Sequence, residues 1–429
     1  MDSSLAGKNL GRVNADKAFF LVGLSVWIFC RILLTSRYGY DGGSIAALLS
    51  WGLYVGLFLC IFSELFDMVI HIKKLFLIVI LIVFVLLLWR LGGNDIASML
   101  VIAFTARKFR FRDILFTATL CTVIAVLFVI GSFALGVIGQ TYDYDRGQGS
   151  LGFGWTTFLS HYYLLLAVAY SVLRGTRIRL IELGIMALID FAIFELTGAR
   201  NSFVLVLVFL IIVEVIRKTG HWRFGKTASV VVAAAFPVCA LVSAALYLTV
   251  SPYSPFGSML NELLSYRLIY TQRAFSMYDV SLFGDVVKWV TQSSIASGAS
   301  TASQYLYVDC SYLNGLLNYG WAFFLAMLAA LSVVSFRATQ SGGAIVGIAL
   351  VIFAVHGVVD PQLLDLHYCT FLLLLGGVFD SQASWREKMS YLLDSPHANK
   401  LTGIRNASTP TGCNRSRLLK AGNKGGDCV

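Results

Sequence analysis

Charge is what this chain has least of. Asp, Glu, Lys and Arg make up 13% of its 429 residues, against 58% hydrophobic residues and a mean hydropathy of +0.77. That balance lies outside the soluble range and makes the chain a polytopic membrane protein. It lacks a small-residue cleavage site after Lys8, Arg12 and Lys17, so an uncleaved first helix is expected in place of a removable signal peptide. It also lacks a disulfide framework. Of eight cysteines, Cys30, Cys60, Cys121 and Cys239 fall in expected helices and Cys413 and Cys428 in a polar tail, leaving Cys310 and Cys369 near the outer surface. No internal repeat is visible.

What is present is a succession of apolar runs near the spanning length of about 20 residues. They cover 18–35, 44–63, 75–91, 113–137, 155–173, 180–196, 201–216, 227–250, 312–336, 343–359 and 366–379, and a shorter run, 94–106, is needed for the flanking loops to alternate in charge. About twelve transmembrane helices and an all-α class follow. Positively charged loops stay cytoplasmic, and all but eight of the 33 Lys and Arg fall on one side under this reading. The net charge of +10 is thereby accounted for by topology and calls for no nucleic-acid partner. Both termini are expected in the cytoplasm.

The layout that results is a cytoplasmic N-terminus over 1–17, helices one to nine over 18–250, a large extracytoplasmic loop over 251–310, helices ten to twelve over 311–379, and a basic tail over 380–429. The tail, broken by Pro396 and Pro410, reads as disordered after a short amphipathic piece from Trp385 to Leu393. A polar loop this long in so hydrophobic a chain is where recognition or chemistry is expected. It mixes Arg267, Arg273 and Lys288 with Glu262, Asp279, Asp285 and Asp309 among many tyrosines, which suits a sugar carried on an anionic lipid.

The eight basic residues outside the inner set are Arg31, Arg37, Arg90, Arg146, Arg200, Arg267, Arg273 and Lys288. Seven are arginine, whose planar fork grips phosphate in two places and keeps its proton. Arg31 and Arg90 lie in or at the ends of helices, where snorkelling alone accounts for them. Arg200 sits in a hairpin, Leu196-Thr197-Gly198-Ala199-Arg200-Asn201-Ser202, too tight to leave the membrane edge.

The run Leu196 to Phe203 resembles the T-x-S-R-x-S hairpin of bacterial polysaccharide polymerases of the Wzy type, in the O-antigen polymerase and ligase superfamily. Asn261 to Leu268, continuing to Gly284, is similar to their L-S-G-R segment, with Tyr266 where glycine is usual. Val308-Asp309-Cys310-Ser311-Tyr312-Leu313 through Asn318-Tyr319-Gly320 resembles their D-N-S-Y-L…Y-G stretch, with Cys310 replacing asparagine; ligases carry histidine at the place of Asp309. Gly152-Phe153-Gly154 is similar to a fourth motif, but Trp155-Thr156-Thr157 stands where H-P-N is usual, and Arg146 lies somewhat upstream of the usual arginine.

The resemblance implies a C-type glycosyltransferase architecture. It implies an enzyme that works without metal or other cofactor, joining undecaprenyl-pyrophosphate-linked repeat units into a capsule, exopolysaccharide or O-antigen. The site would face outward on the bacterial cytoplasmic membrane. Donor and acceptor would both be lipid-linked glycans, and a chain-length regulator and a flippase are the expected partners. Arg200 and Arg267, with Arg273 or Arg146, would stabilise the departing pyrophosphate. Asp309 would act as base toward the acceptor hydroxyl or, alternatively, cap the helix that opens at Ser311. Asp360 would brace an arginine, and Tyr266 and Tyr312 would contact substrate.

Asp143-Tyr144-Asp145 has a metal-binding spacing, with contact to Arg146 or to sugar hydroxyls as the stronger reading. His356 reads as a packing residue, and Asp190, mid-helix, calls for a partner, an arginine first. Two rival functions stay open, a ligase handing a finished glycan to an acceptor and a lipid-linked oligosaccharide flippase.

Overall fold

A computed structural model describes residues 3–66, 72–143, 147–291, 301, 304–378 and 380–389. The described residues are mostly helical. In chain order they form α1 (Ser3–Leu34), α2 (Arg37–Tyr40), α3 (Gly43–Phe62), α4 (Ile72–Arg90), α5 (Asn94–Ala106), α6 (Phe111–Ala134), α7 (Phe158–Arg174), α8 (Leu180–Thr197), α9 (Arg200–Thr219) and α10 (Lys226–Ala244). Then come α11 (Pro255–Leu263), α12 (Arg267–Met277), α13 (Ser311–Gly342), α14 (Ala344–Val359) and α15 (Gln382–Met389). A two-residue antiparallel pair, Tyr142–Asp143 with Gln148–Gly149, closes the turn between α6 and α7.

Among the described residues, five helices are long and apolar enough to cross a membrane: Ala15–Leu34, Gly43–Phe66 (which includes a short 3-10 turn), Phe111–Ala134, Lys226–Thr249 and Ser311–Gly342. Leu75–Arg90, Asn94–Ala106 and Ala344–Val359 are apolar but shorter. Their outward faces are apolar too, with Leu48, Trp51 and Phe58 on α3 all more than half exposed. Helices suit that setting because each satisfies its own backbone polar groups where no water can.

Close packing rests on small residues at a few crossings. A Cβ on Gly23 of α1 would lie 2.7 Å from the Gly56 carbonyl oxygen of α3, and one on Gly56 would lie 2.8 Å from the Gly23 oxygen. The two backbones therefore touch, as small residues permit between helices in lipid. At the far end of the chain the expectation of a twelfth α-helix over 366–379 is corrected. Thr370–Gly377 is an eight-residue 3-10 stretch, about 16 Å long at roughly 2.0 Å per residue. It packs against α5 so tightly that a Cβ on Gly376 would lie 1.8 Å from the Ala103 oxygen. That backbone approach sets its path, which hydropathy alone does not register.

α13 is broken at Gly320, whose φ of 75° and ψ of 176° belong to glycine alone. The break frees the amides that follow it. Trp321 N–H donates to the Ser281 carbonyl at 3.1 Å and Ala322 N–H to the Leu282 carbonyl at 2.9 Å. The segment after α12 is thus stitched to α13 by its backbone, and the close approach at Gly284, 2.3 Å from a Cβ built on Gly320, excludes any larger residue there.

Candidate functional site

The segment between α10 and α13 is built to aim one arginine. Pro255 opens α11, where its missing N–H costs nothing, and the Ser254 hydroxyl accepts from Gly257 N–H at 3.0 Å as the cap. α11 then stops, and Ser265 and Tyr266 both take left-handed backbone, φ 53° and 65°. Tyr266 N–H closes that turn on the Asn261 carbonyl at 2.7 Å. Left-handed backbone is costly for a residue with a Cβ, so the turn at Ser265 and Tyr266 is held against that cost by its neighbours. α12 begins with Arg267 and is moored by Gln272, whose amide donates to the Tyr247 and Val250 carbonyls at 3.0 and 2.8 Å. Those carbonyls lie in and just after a π turn over Ala245–Thr249 that ends the helix, where main-chain carbonyls lack intrahelical partners.

Arg267 meets two carboxylates from different parts of the chain. Its Nε lies 3.2 Å from Asp309 Oδ2 and its Nη2 3.5 Å from Asp360 Oδ1, while Nη1 donates to the Val359 carbonyl. Asp309 precedes α13; the N-cap of that helix is Cys310, which makes no side-chain cap bond. The Asp309 side chain is spent on Arg267, so the capping alternative is set aside on geometry. Asp360 ends α14 and is held from several sides. Asn201 of α9 donates to Oδ2, His161 Nε2 of α7 lies 3.6 Å from Oδ1 and His356 Nε2 of α14 3.3 Å from Oδ2. The Ser311 hydroxyl donates to the Asp360 carbonyl and accepts from Leu363 N–H at 3.0 Å, which fixes the turn after α14 against the start of α13.

Exposure orders this cluster from surface to depth. The Arg267 and Asp309 side chains keep 23% and 22% exposure, the Asp360 side chain 5%. Burial pushes the Asp309 carboxyl above its ordinary range, and the attraction of Arg267 only partly offsets it. Burial pushes Asp360 up as well, but there His161, His356 and Arg267, with the Asn201 amide, outweigh it and hold the group at about 2. Two carboxylates on one guanidinium are in this way pushed apart, one fixed as an anion and the other made basic, a division of labour common at acid–base sites. Around Asp309 stand aromatic pairs, Tyr270 edge-on to Tyr305 at 4.7 Å and Trp289 edge-on to Tyr307 at 5.5 Å.

Of the residues singled out in the sequence, Arg267, Asp309 and Asp360 come together. Arg200 opens α9 beside Asn201, exposed, and among the described residues its guanidinium has no ion-pair partner. Arg273 is exposed on α12, and Tyr266 is 52% exposed beside Arg267. Tyr312 does not reach this surface. It is buried in the packing, and its hydroxyl donates to the Ala354 carbonyl at 2.8 Å, which corrects the expectation of a substrate contact. Arg146, Tyr144 and Asp145 lie outside the described residues, as does the tail from 390. Asp190 is buried and its Oδ2 has no hydrogen-bond partner, so the arginine expected beside it is not there among the described residues. Arg31 pairs with Asp95 instead of joining the Asp360 cluster. His161 and Asn201 were not foreseen: a histidine in an apolar run carries no spacing signal, and Asn201 stood in the shadow of Arg200.

Compared with protein-family models, with curated proteins and with solved structures, the chain gives no match.

Proposed function

We propose that this protein is a membrane glycosyltransferase that polymerises undecaprenyl-pyrophosphate-linked repeat units at the outer face of the bacterial cytoplasmic membrane. The observation that carries the reading is Arg267, a part-exposed guanidinium fixed by the carboxylates of Asp309 and Asp360. When the bond from sugar to phosphate breaks, negative charge grows on the departing pyrophosphate. A preorganised cation aimed there favours the transition state over the ground state. Arg200 and Arg273, both exposed, supply further guanidinium charge to the phosphates, so that no metal bridges them. Asp309, with its raised affinity for a proton, takes the proton of the acceptor hydroxyl as that oxygen attacks the anomeric carbon.

In this proposal both termini are cytoplasmic and the chain crosses the membrane about twelve times. The last crossing runs from Asp360 toward Asp380. It is short for a lipid-facing span, yet Leu366, Tyr368 and Phe371 to Leu375 are buried in protein, the setting in which non-α backbone is tolerated at membrane depth. The segment 251–310 forms the outer loop, in contact with donor and acceptor glycans, with a chain-length regulator and a flippase as partners in the membrane.

The test is a reconstituted assay: purified protein in proteoliposomes, a lipid-pyrophosphate-linked repeat unit, and glycan length read on a gel. A ladder from wild type, abolished by Arg200→Ala and Arg267→Ala, supports the polymerase. Transfer of one finished glycan to an acceptor without a ladder replaces it with a ligase. Movement of the lipid-linked sugar across the bilayer without new bonds replaces it with a flippase.

A further inference from the structure

The deep end of the cluster has a chemistry of its own. His161 of α7 meets His356 and Asp360, four residues apart at the end of α14; all three are buried, and one donor atom from each lies within 4.8 Å of the others. The two imidazole Nε2 atoms approach the Asp360 oxygens at 3.6 and 3.3 Å. Those separations are long for a hydrogen bond to a carboxylate, which closes to about 2.7–2.9 Å when charged. They match something else. Bonds of about 2.0–2.2 Å from a metal to nitrogen or oxygen, at the tetrahedral angle, set adjacent donors about 3.3–3.6 Å apart.

Buried polar atoms around this point are left without partners. His356 Nε2, His161 Nδ1 and the Gln362 side-chain oxygen make no hydrogen bond, and Gln362 lies beside the His161 ring. Unpaired buried polar atoms are rare and call for an explanation. Asp309 and Asp360 share the single guanidinium of Arg267, so a cation at the buried end of the cluster finds an anion to pair with.

We propose that His161, His356 and Asp360 bind a divalent ion of the zinc class. Two imidazole nitrogens and hard oxygen donors suit that class, whereas magnesium and calcium favour oxygen alone. The ion would sit among the buried side chains of His161, His356 and Asp360, deeper than the part-exposed Arg267 and Asp309. It bridges no phosphate, and it neutralises the carboxylate that holds Arg267. Its presence is compatible with the arginine-based transfer above, in which no metal bridges the phosphates.

The experiment uses the full-length protein in detergent, stripped with chelator, desalted, then loaded with zinc or with cobalt(II) as a visible reporter. One equivalent of zinc per chain by mass spectrometry is expected, with cobalt(II) absorption bands of a low-symmetry nitrogen and oxygen site. His161→Ala and His356→Ala should each lose the equivalent and the bands while eluting as wild type on size exclusion; His356→Gln, a smaller change in volume, guards against simple misfolding. Wild type that retains no more zinc than these variants overturns the proposal, as does an equivalent that survives in both. Because the readout needs no glycan, a failure here is distinct from a failure of the polymerase ladder.

Discussion

Replacing Arg267 by lysine keeps the charge and removes the fork, so it separates what the guanidinium does by shape from what it does by sign. Arg267 uses all three nitrogens, Nε on Asp309 at 3.2 Å, Nη2 on Asp360 at 3.5 Å and Nη1 on the Val359 carbonyl. A single ammonium reaches one carboxylate well and gives up the other. At an effective dielectric of about 20, a contact near 3.3 Å is roughly 5 kcal/mol gross. Desolvation reduces the net loss for one charged hydrogen bond to about 1.5–3 kcal/mol, small enough for the fold to survive.

Catalysis should suffer more. A fixed donor aimed at transition-state charge contributes about 2.7–4 kcal/mol, or a factor of about 10²–10³ in rate. Arg267→Lys is expected to lower the initial rate of ladder formation by that factor. The reasoning fails if the variant elutes and unfolds like wild type yet polymerises within about threefold of its rate, a barrier change of less than about 0.7 kcal/mol.

Three other outcomes are expected. Asp309→Asn should cut the rate by about 10²–10⁴. In wild type the rate should rise with pH through a midpoint above the ordinary carboxylate range, because the raised group becomes a base only once deprotonated; that rise should vanish in the variant, and full activity in Asp309→Asn would show the side chain to be structural. Asp190→Asn removes a buried carboxylate that has no partner and should leave the thermal midpoint in detergent unchanged or higher, whereas a loss above about 2 kcal/mol would reveal an ion pair. Gly320→Ala should destabilise by at least about 2 kcal/mol through its backbone region and the Gly284 contact. Gly315→Ala, whose nearest atom is Leu364 Cδ1 at 3.8 Å, serves as the near-neutral control.

The helices were legible where apolarity and length are the whole story. The run expected over 94–106 is α5, Asn94–Ala106, and that over 343–359 is α14, Ala344–Val359. Apolarity says nothing of hydrogen-bond pattern, which is why the 3-10 stretch at Thr370–Gly377 was expected as a full helix. The visible part of the site, Arg267 with Asp309, was legible because charged residues in a hydrophobic chain are few and each needs a reason. Tyr312 misled for a related cause: a tyrosine at a helix start can turn inward, and only packing decides that its hydroxyl meets Ala354. His161 and Asn201 were illegible because they act through a residue some 200 and 160 positions away, a distance no local pattern spans.

The stitch between Ser281–Leu282 and α13 uses only main-chain atoms, so side-chain identity at those positions is left free. Leu282 and Phe283 are 59% and 57% exposed. A single reporter group attached at either position would ride on a strap whose anchorage it does not disturb. It would sit beside the break in α13 and a short way from the aromatic pair of Trp289 and Tyr307, able to register by fluorescence whether that strap loosens when the proposed lipid-linked glycan is added.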